Sequence, residues 1–161
     1  QPNSILLIPE GTLSEVNVML KFIKDNYKIC SNLNFTIRFH PIYPKKLIQK
    51  AFLDFKQARN VFFSNSSIIN DFKNNKYVIY RGSSLVFKAI DSGLIPLYLN
   101  FGVNVNILDI YDLDINCVNI DDNLEKIHFS DFKINKKLSD FITSYFMNHN
   151  YDILLNEIIK R

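Results

Sequence analysis

Glycine and proline are scarce here: 4 and 5 residues in a chain of 161. That excludes collagen-like and low-complexity architectures, and it makes each of those few positions informative. Cysteine is scarcer still. Cys30 and Cys117 stand far apart, with no second Cys or His at metal-ligand spacing around either, which argues against a structural zinc. Two readings remain, a disulfide or two buried thiols in a reducing compartment, and the second is the simpler. No apolar run reaches the roughly 18 residues needed to span a bilayer, and no signal-peptide pattern opens the chain. A cytoplasmic location follows as the expectation, at the inner face of the membrane as a further option. Because the first residue is Gln1 rather than Met, the chain reads as a piece of something longer.

What is present fits one folded domain, covering residues 1–161. Hydrophobic residues make up 47% and charged residues 22%, a balance that excludes a disordered chain. The length suits a single buried core and falls short of two ordinary domains. The net charge of +3 suits a phosphorylated small molecule or proximity to an anionic membrane. It lacks the basic runs of a nucleic-acid binder.

The pattern along the chain alternates strand and helix. Ser4–Pro9 is a short apolar run, and Leu13, Val16, Leu20 and Ile23 then recur at helical spacing over Leu13–Tyr27. Thr12 and Glu15 form a capping-box pattern at its start. Asn34–Phe39 reads as the second strand, and Leu47, Ile48, Ala51, Phe52 and Phe55 as the buried stripe of the next helix. Val61–Ser64 is a third strand, followed by a short helix carrying Ile68, Ile69 and Phe72. Tyr77–Tyr80 is a fourth, Ser83–Ser92 a helix stopped by Gly93, Leu97–Leu99 a fifth strand and Cys117–Ile120 a sixth. Two amphipathic helices are expected near Lys137–Met147 and Asp152–Lys160. Such alternation predicts an α/β fold, a Rossmann-like doubly wound parallel sheet of about six strands.

In open parallel sheets, ligands bind beyond the carboxyl ends of the strands. Those ends carry Glu10-Gly11-Thr12, His40-Pro41, Ser64-Asn65-Ser66-Ser67, Arg81-Gly82-Ser83-Ser84 and Asn100-Phe101-Gly102. At Gly82-Ser83-Ser84, a glycine permits a sharp turn and two hydroxyls meet a helix start, which suits a phosphate or carboxylate. Capping of the helix by Ser83 is an equal alternative, and Arg81 beside the turn favours the anion. Pro41 holds His40 out of a helix, where its imidazole can donate to a phosphate oxygen; a purely structural His is the competing reading. Gly11 allows close backbone approach and Thr12 caps a helix. Glu10 repels phosphate, so a sugar hydroxyl, a partner domain or solvent is its expected neighbour. Asp109, Asp112, Asp114 and Asp121-Asp122 have the irregular spacing of solvated turns rather than of a metal site. His128 and His149 read as surface or tail residues. Neither a dinucleotide fingerprint nor a Walker loop is present.

Phe39-His40-Pro41, Tyr80-Arg81-Gly82-Ser83-Ser84 and the stretch from Ala89 through Gly93-Leu94-Ile95-Pro96-Leu97-Tyr98-Leu99 together resemble the C-terminal half of GT-B glycosyltransferases. The most similar groups are bacterial surface-carbohydrate enzymes of sialyltransferase-like, polysialyltransferase-like and CDP-glycerol glycerophosphotransferase-like type. The resemblance covers roughly Ile37 to Leu99. It implies a nucleotide-sugar donor, with cytidine (CMP- or CDP-linked) as the expected base, a uridine or guanosine donor staying open, and no further cofactor. It assigns His40 to the donor phosphate as the catalytic residue, and Ser83 with Ser84 to holding that phosphate. It also places the glycan acceptor on an N-terminal domain that this chain lacks, so the chain alone is expected to bind donor without transferring sugar.

Three other classes compete. A receiver-like signalling module requires clustered acids after the first strand, an Asp ending the third and a Lys ending the fifth; Glu10, Ser64 and Asn100 stand there instead. A nucleotide-sugar epimerase would need an acidic rim cluster that is not found. A non-catalytic interaction module that keeps the fold without the ligand remains open.

Overall fold

The computed structural model describes residues 4–102, 106–108, 111 and 113–148. Six strands, β1 (Ser4–Leu7), β2 (Asn34–Ile37), β3 (Val61–Phe63), β4 (Tyr77–Tyr80), β5 (Ile95–Asn100) and β6 (Asn116–Asn119), form one sheet. Its spatial order is β3-β2-β1-β4-β5-β6, and every neighbouring pair is parallel. Among the described residues five α-helices connect or follow them: α1 (Leu13–Asn26), α2 (Lys45–Asp54), α3 (Ile68–Asn74), α4 (Leu85–Asp91) and α5 (Lys136–Asn148). The protein is therefore a doubly wound, Rossmann-like α/β protein.

Strands buried on both faces explain the near-continuous apolar runs. All four residues of β1 and of β4 are buried, and their side chains alternate between two cores. Ile5, Leu7, Tyr77 and Ile79 face the layer of α1 and α2, meeting Met19, Phe22 and Ile23. Leu6, Ile8, Val78 and Tyr80 face the opposite layer, where Val86, Ala89 and Ile90 of α4 and Leu138 and Ile142 of α5 pack. The helical stripes are shifted from those the sequence suggests. In α1 the buried side is Val16, Met19, Phe22 and Ile23, while Leu13 is exposed. In α2, only Ala51 is buried within the helix and Phe55 at its end. Phe52 instead turns outward and stacks on Phe63 at the sheet edge, with ring centroids 4.4 Å apart. Ile69 of α3 is likewise exposed. Edge elements cover less of their stripe because no further strand lies beyond them.

Both cysteines are free. Cys30 is buried as expected, but Cys117 is exposed, so the reading of two buried thiols holds for one of them. No described helix is long and apolar enough to cross a membrane. The expected helix at Asp152–Lys160 lies outside the described residues, as do His149, Asp109 and Asp112.

Candidate functional site at the strand-order switch

The chain winds from β1 through α1 toward β3, then returns to β4 beside β1 and winds the other way. The helices that follow β1 and β4 therefore cover opposite faces of the sheet. In doubly wound sheets such divergence leaves a crevice beyond the carboxyl ends of the two strands, the position where ligands bind.

Glu10 and Gly82 meet across this crevice. A methyl group added at Gly82 would meet the Glu10 carboxylate, so the bare glycine lets that side chain lie against the β4 end, and a Cβ there would make it move aside. The sharp-turn argument does not apply, since among the described glycines only Gly93 and Gly102 have positive φ. Gly11 plays the same part toward β2: a Cβ there would strike the Ile42 side chain and come within 3.2 Å of His40 Nδ1. Glu10, Gly11, His40 and Gly82 are thus neighbours in one cleft.

His40 is exposed, and its Nδ1 accepts the Ile42 N–H at 3.3 Å. That assigns the ring proton to Nε2, which is left to donate outward. The turn carrying it is rigidly based. Tyr43 N–H closes onto the His40 carbonyl at 2.9 Å, and the Phe39 ring stacks between Tyr43 and Phe63 at 5.3 and 5.8 Å.

Ser84 occupies the N-cap position of α4, yet its side chain makes no capping hydrogen bond. The backbone carbonyls of Ser83 and Ser84 accept from Val86 and Phe87 N–H, and among the described residues neither hydroxyl has a protein partner. The capping alternative is therefore not realised. Two hydroxyls and, of the first three N–H groups of α4, that of Leu85 are left for another acceptor; α4 is only 7 residues long, so these local donors matter more than its dipole. Thr12, by contrast, does cap α1, accepting Glu15 N–H at 3.4 Å.

Arg81 is placed differently from expectation. It is 3% exposed, with Nε donating to Glu15 at 3.0 Å, Nη1 to the Leu99 carbonyl and Nη2 to the Phe101 carbonyl, both at 3.0 Å. Its guanidinium ties β4 to the end of β5 and to α1, and it acts on the rim by holding it. Glu15 is the partner that sequence reasoning missed. Its position three residues after Thr12 suggested the reciprocal half of a capping box, but its buried carboxylate turns to Arg81, with 2.9 Å at closest approach. Burial raises the Glu15 pKa above the usual carboxylate value; Arg81 opposes that shift and the nearby Glu10 charge adds to it.

Ser64 is also committed. Its hydroxyl donates to Asp71, which further accepts from Ser66 Oγ at 2.7 Å and Arg38 Nη1 at 2.6 Å. Asp71 is 3% exposed, so this cluster fastens the ends of β2 and β3 to α3, and Ser64 is one of its parts rather than a free rim hydroxyl. Arg38, directly before the Phe39-His40-Pro41 motif, was the sequence signal for it.

Among the described residues no group of three His, Cys, Asp or Glu side chains is arranged to hold a metal ion. Asp122 caps a turn by accepting Asn119 N–H at 2.7 Å, Asp114 sits in a loop at φ 49°, and His128 is exposed. No protein-family model matches the chain, and no curated protein matches it.

Proposed function

We propose that this chain is the nucleotide-sugar donor-binding domain of a GT-B-type glycosyltransferase of surface-polysaccharide or lipopolysaccharide synthesis, taking a cytidine-nucleotide donor. The observation that carries the reading is the set of strand-end residues at the β1/β4 switch: Gly82 against Glu10, Gly11 against His40, and, directly after Gly82, Ser83 and Ser84 hydroxyls with no partner among the described residues. The serine hydroxyls and the Leu85 N–H at the start of α4 hold the donor phosphate. His40 Nε2–H donates to the same phosphate and steadies the departing nucleotide. Glu10, an acceptor only, takes a hydrogen bond from a hydroxyl of the bound sugar. Arg81 keeps the β4 and β5 ends in register beneath them. The glycan acceptor, and the transfer reaction itself, belong to a second domain in the proteins this chain resembles.

A non-catalytic interaction module is the second reading, favoured by one observation: the Glu10 carboxylate lies against Gly82, where a phosphate would approach. The receiver-like alternative is disfavoured by topology, because receivers have the order 2-1-3-4-5 and this sheet does not.

A melting-temperature panel with CMP, CDP, UDP and GDP separates these readings, since a ligand that binds only the folded state raises the transition with occupancy. Selective stabilisation by a cytidine nucleotide supports the donor site. No shift with any of them at millimolar concentration favours the interaction module.

A further inference from the structure

The face formed by α1, α2 and the turns that follow them has a charge unlike the rest of the chain. Between Leu13 and Asn60, seven exposed lysines and one exposed arginine stand against two exposed acids, Asp25 and Asp54. This excess of six positive charges exceeds the +3 of the whole chain, so the remainder is net negative and the molecule is electrically lopsided. Lys21 is partly offset by its i,i+4 pair with Asp25.

The same surface is not uniformly polar. Leu13 is 53% exposed, Ile42 73% and Leu53 71%. Leu13 and Ile42 lie at the cleft end of the layer and Leu53 near the far end of α2. Between the helices runs a groove of about 330 Å³, floored by Leu20, Leu47, Ala51 and Phe55 and flanked by Lys24 and Lys50. Aliphatic side chains among flexible lysines are the composition of a surface that lies on anionic lipid. Nucleic-acid surfaces rely more on Arg for bidentate phosphate contacts and on exposed rings for base stacking. Here seven of the eight cations are lysines, and the Phe52 ring is already stacked on Phe63.

We propose that the α1/α2 face docks on the surface of an anionic lipid bilayer, with lysines such as Lys24, Lys46 and Lys50 at the headgroups and Leu13, Ile42 and Leu53 dipping below them. The inference is independent of the donor site, although Ile42 borders that cleft and would hold its mouth close to the membrane.

The test is co-sedimentation of this chain with vesicles of phosphatidylcholine alone and of phosphatidylcholine with phosphatidylglycerol. Binding is expected only to the anionic vesicles, and it should fall steeply as salt is raised. The pair K46E/K50E should weaken it by an order of magnitude or more, and I42S/L53S should weaken it several-fold at constant charge. K73E/K88E, on the opposite layer, should leave more binding than K46E/K50E does. Circular dichroism melts establish that each variant is folded; because all these side chains are exposed, they should be. Failure to sediment with anionic vesicles at low salt overturns the proposal. So does equal loss from either charge-reversal pair, which would mean a diffuse charge effect, or tighter binding to a single-stranded oligonucleotide than to the vesicles.

Discussion

Glu15 and Arg81 form an ion pair 2.9 Å apart with side chains only 7% and 3% exposed, joining the first turn of α1 to the end of β4. Removing one partner of such a pair leaves a buried charge alone. Glu15→Ala and Arg81→Met should each destabilise by about 3 kcal/mol. The double variant should lose clearly less than the sum, with a coupling of at least about 1 kcal/mol. Urea unfolding of the four proteins measures this, and strictly additive losses would show that the pair does not act as a unit.

The same carboxylate gives stability a pH dependence. Its folded pKa is raised, chiefly by burial, so the folded state holds its proton at pH values where the unfolded chain has already released it. The contribution from Glu15 is therefore fully present below the ordinary carboxylate value of 4.5 and is lost as pH rises through the folded pKa. Relative to Glu15→Gln, which cannot titrate, the parent should gain stability as pH falls toward that value. Parallel curves for the two proteins would contradict this.

Gly82→Ala probes the cleft with little effect on the fold. The added methyl meets the far end of the flexible Glu10 side chain, which can swing away, so the expected stability change is within about 1 kcal/mol. The displaced carboxylate should alter nucleotide affinity, and calorimetric titration of parent and variant tests it. An unchanged affinity would place the ligand elsewhere.

His40→Ala and Ser84→Ala remove exposed groups with no structural hydrogen bond beyond His40 Nδ1 to Ile42. Their melting points without ligand should match the parent, while nucleotide binding weakens about tenfold, as loss of one charge-assisted hydrogen bond predicts. If both variants bind as the parent does, the assignment of these two residues fails.

Asp71→Ala should behave in the opposite manner. It removes the buried carboxylate that pairs with Arg38, which keeps its bond to the Ser66 carbonyl, and releases the hydroxyls of Ser64 and Ser66, for an expected loss of about 2 kcal/mol. Nucleotide affinity of the remaining folded protein should change little, because this cluster sits at the ends of β2 and β3 rather than at β1 and β4.

Much of the architecture was legible before any coordinates. The buried parallel strands read as short apolar runs, and Tyr77–Tyr80 matches β4 end to end. The helices were located but their inner faces were not: Leu13 and Phe52 sit on apolar periodicity yet are half-exposed, Phe52 stacking on Phe63 at the sheet edge rather than entering the core. At the site, the strand-end rule singled out Glu10, Gly11, His40, Gly82, Ser83 and Ser84. What it mistook were Arg81 and Ser64, whose polar groups are consumed by Glu15 and Asp71.

The sequence by itself determined the α/β class, the strand and helix order and which residues stand at the carboxyl ends, since these follow from local periodicity, capping and the burial of parallel strands. Only the tertiary structure decided which ends adjoin, and so which rim residues share a cleft. It also decided which polar side chains are spent on the fold and which are left over. Glu15 and Arg81 are 66 residues apart along the chain, and no local pattern encodes that a capping carboxylate will abandon its own helix to neutralise a buried guanidinium.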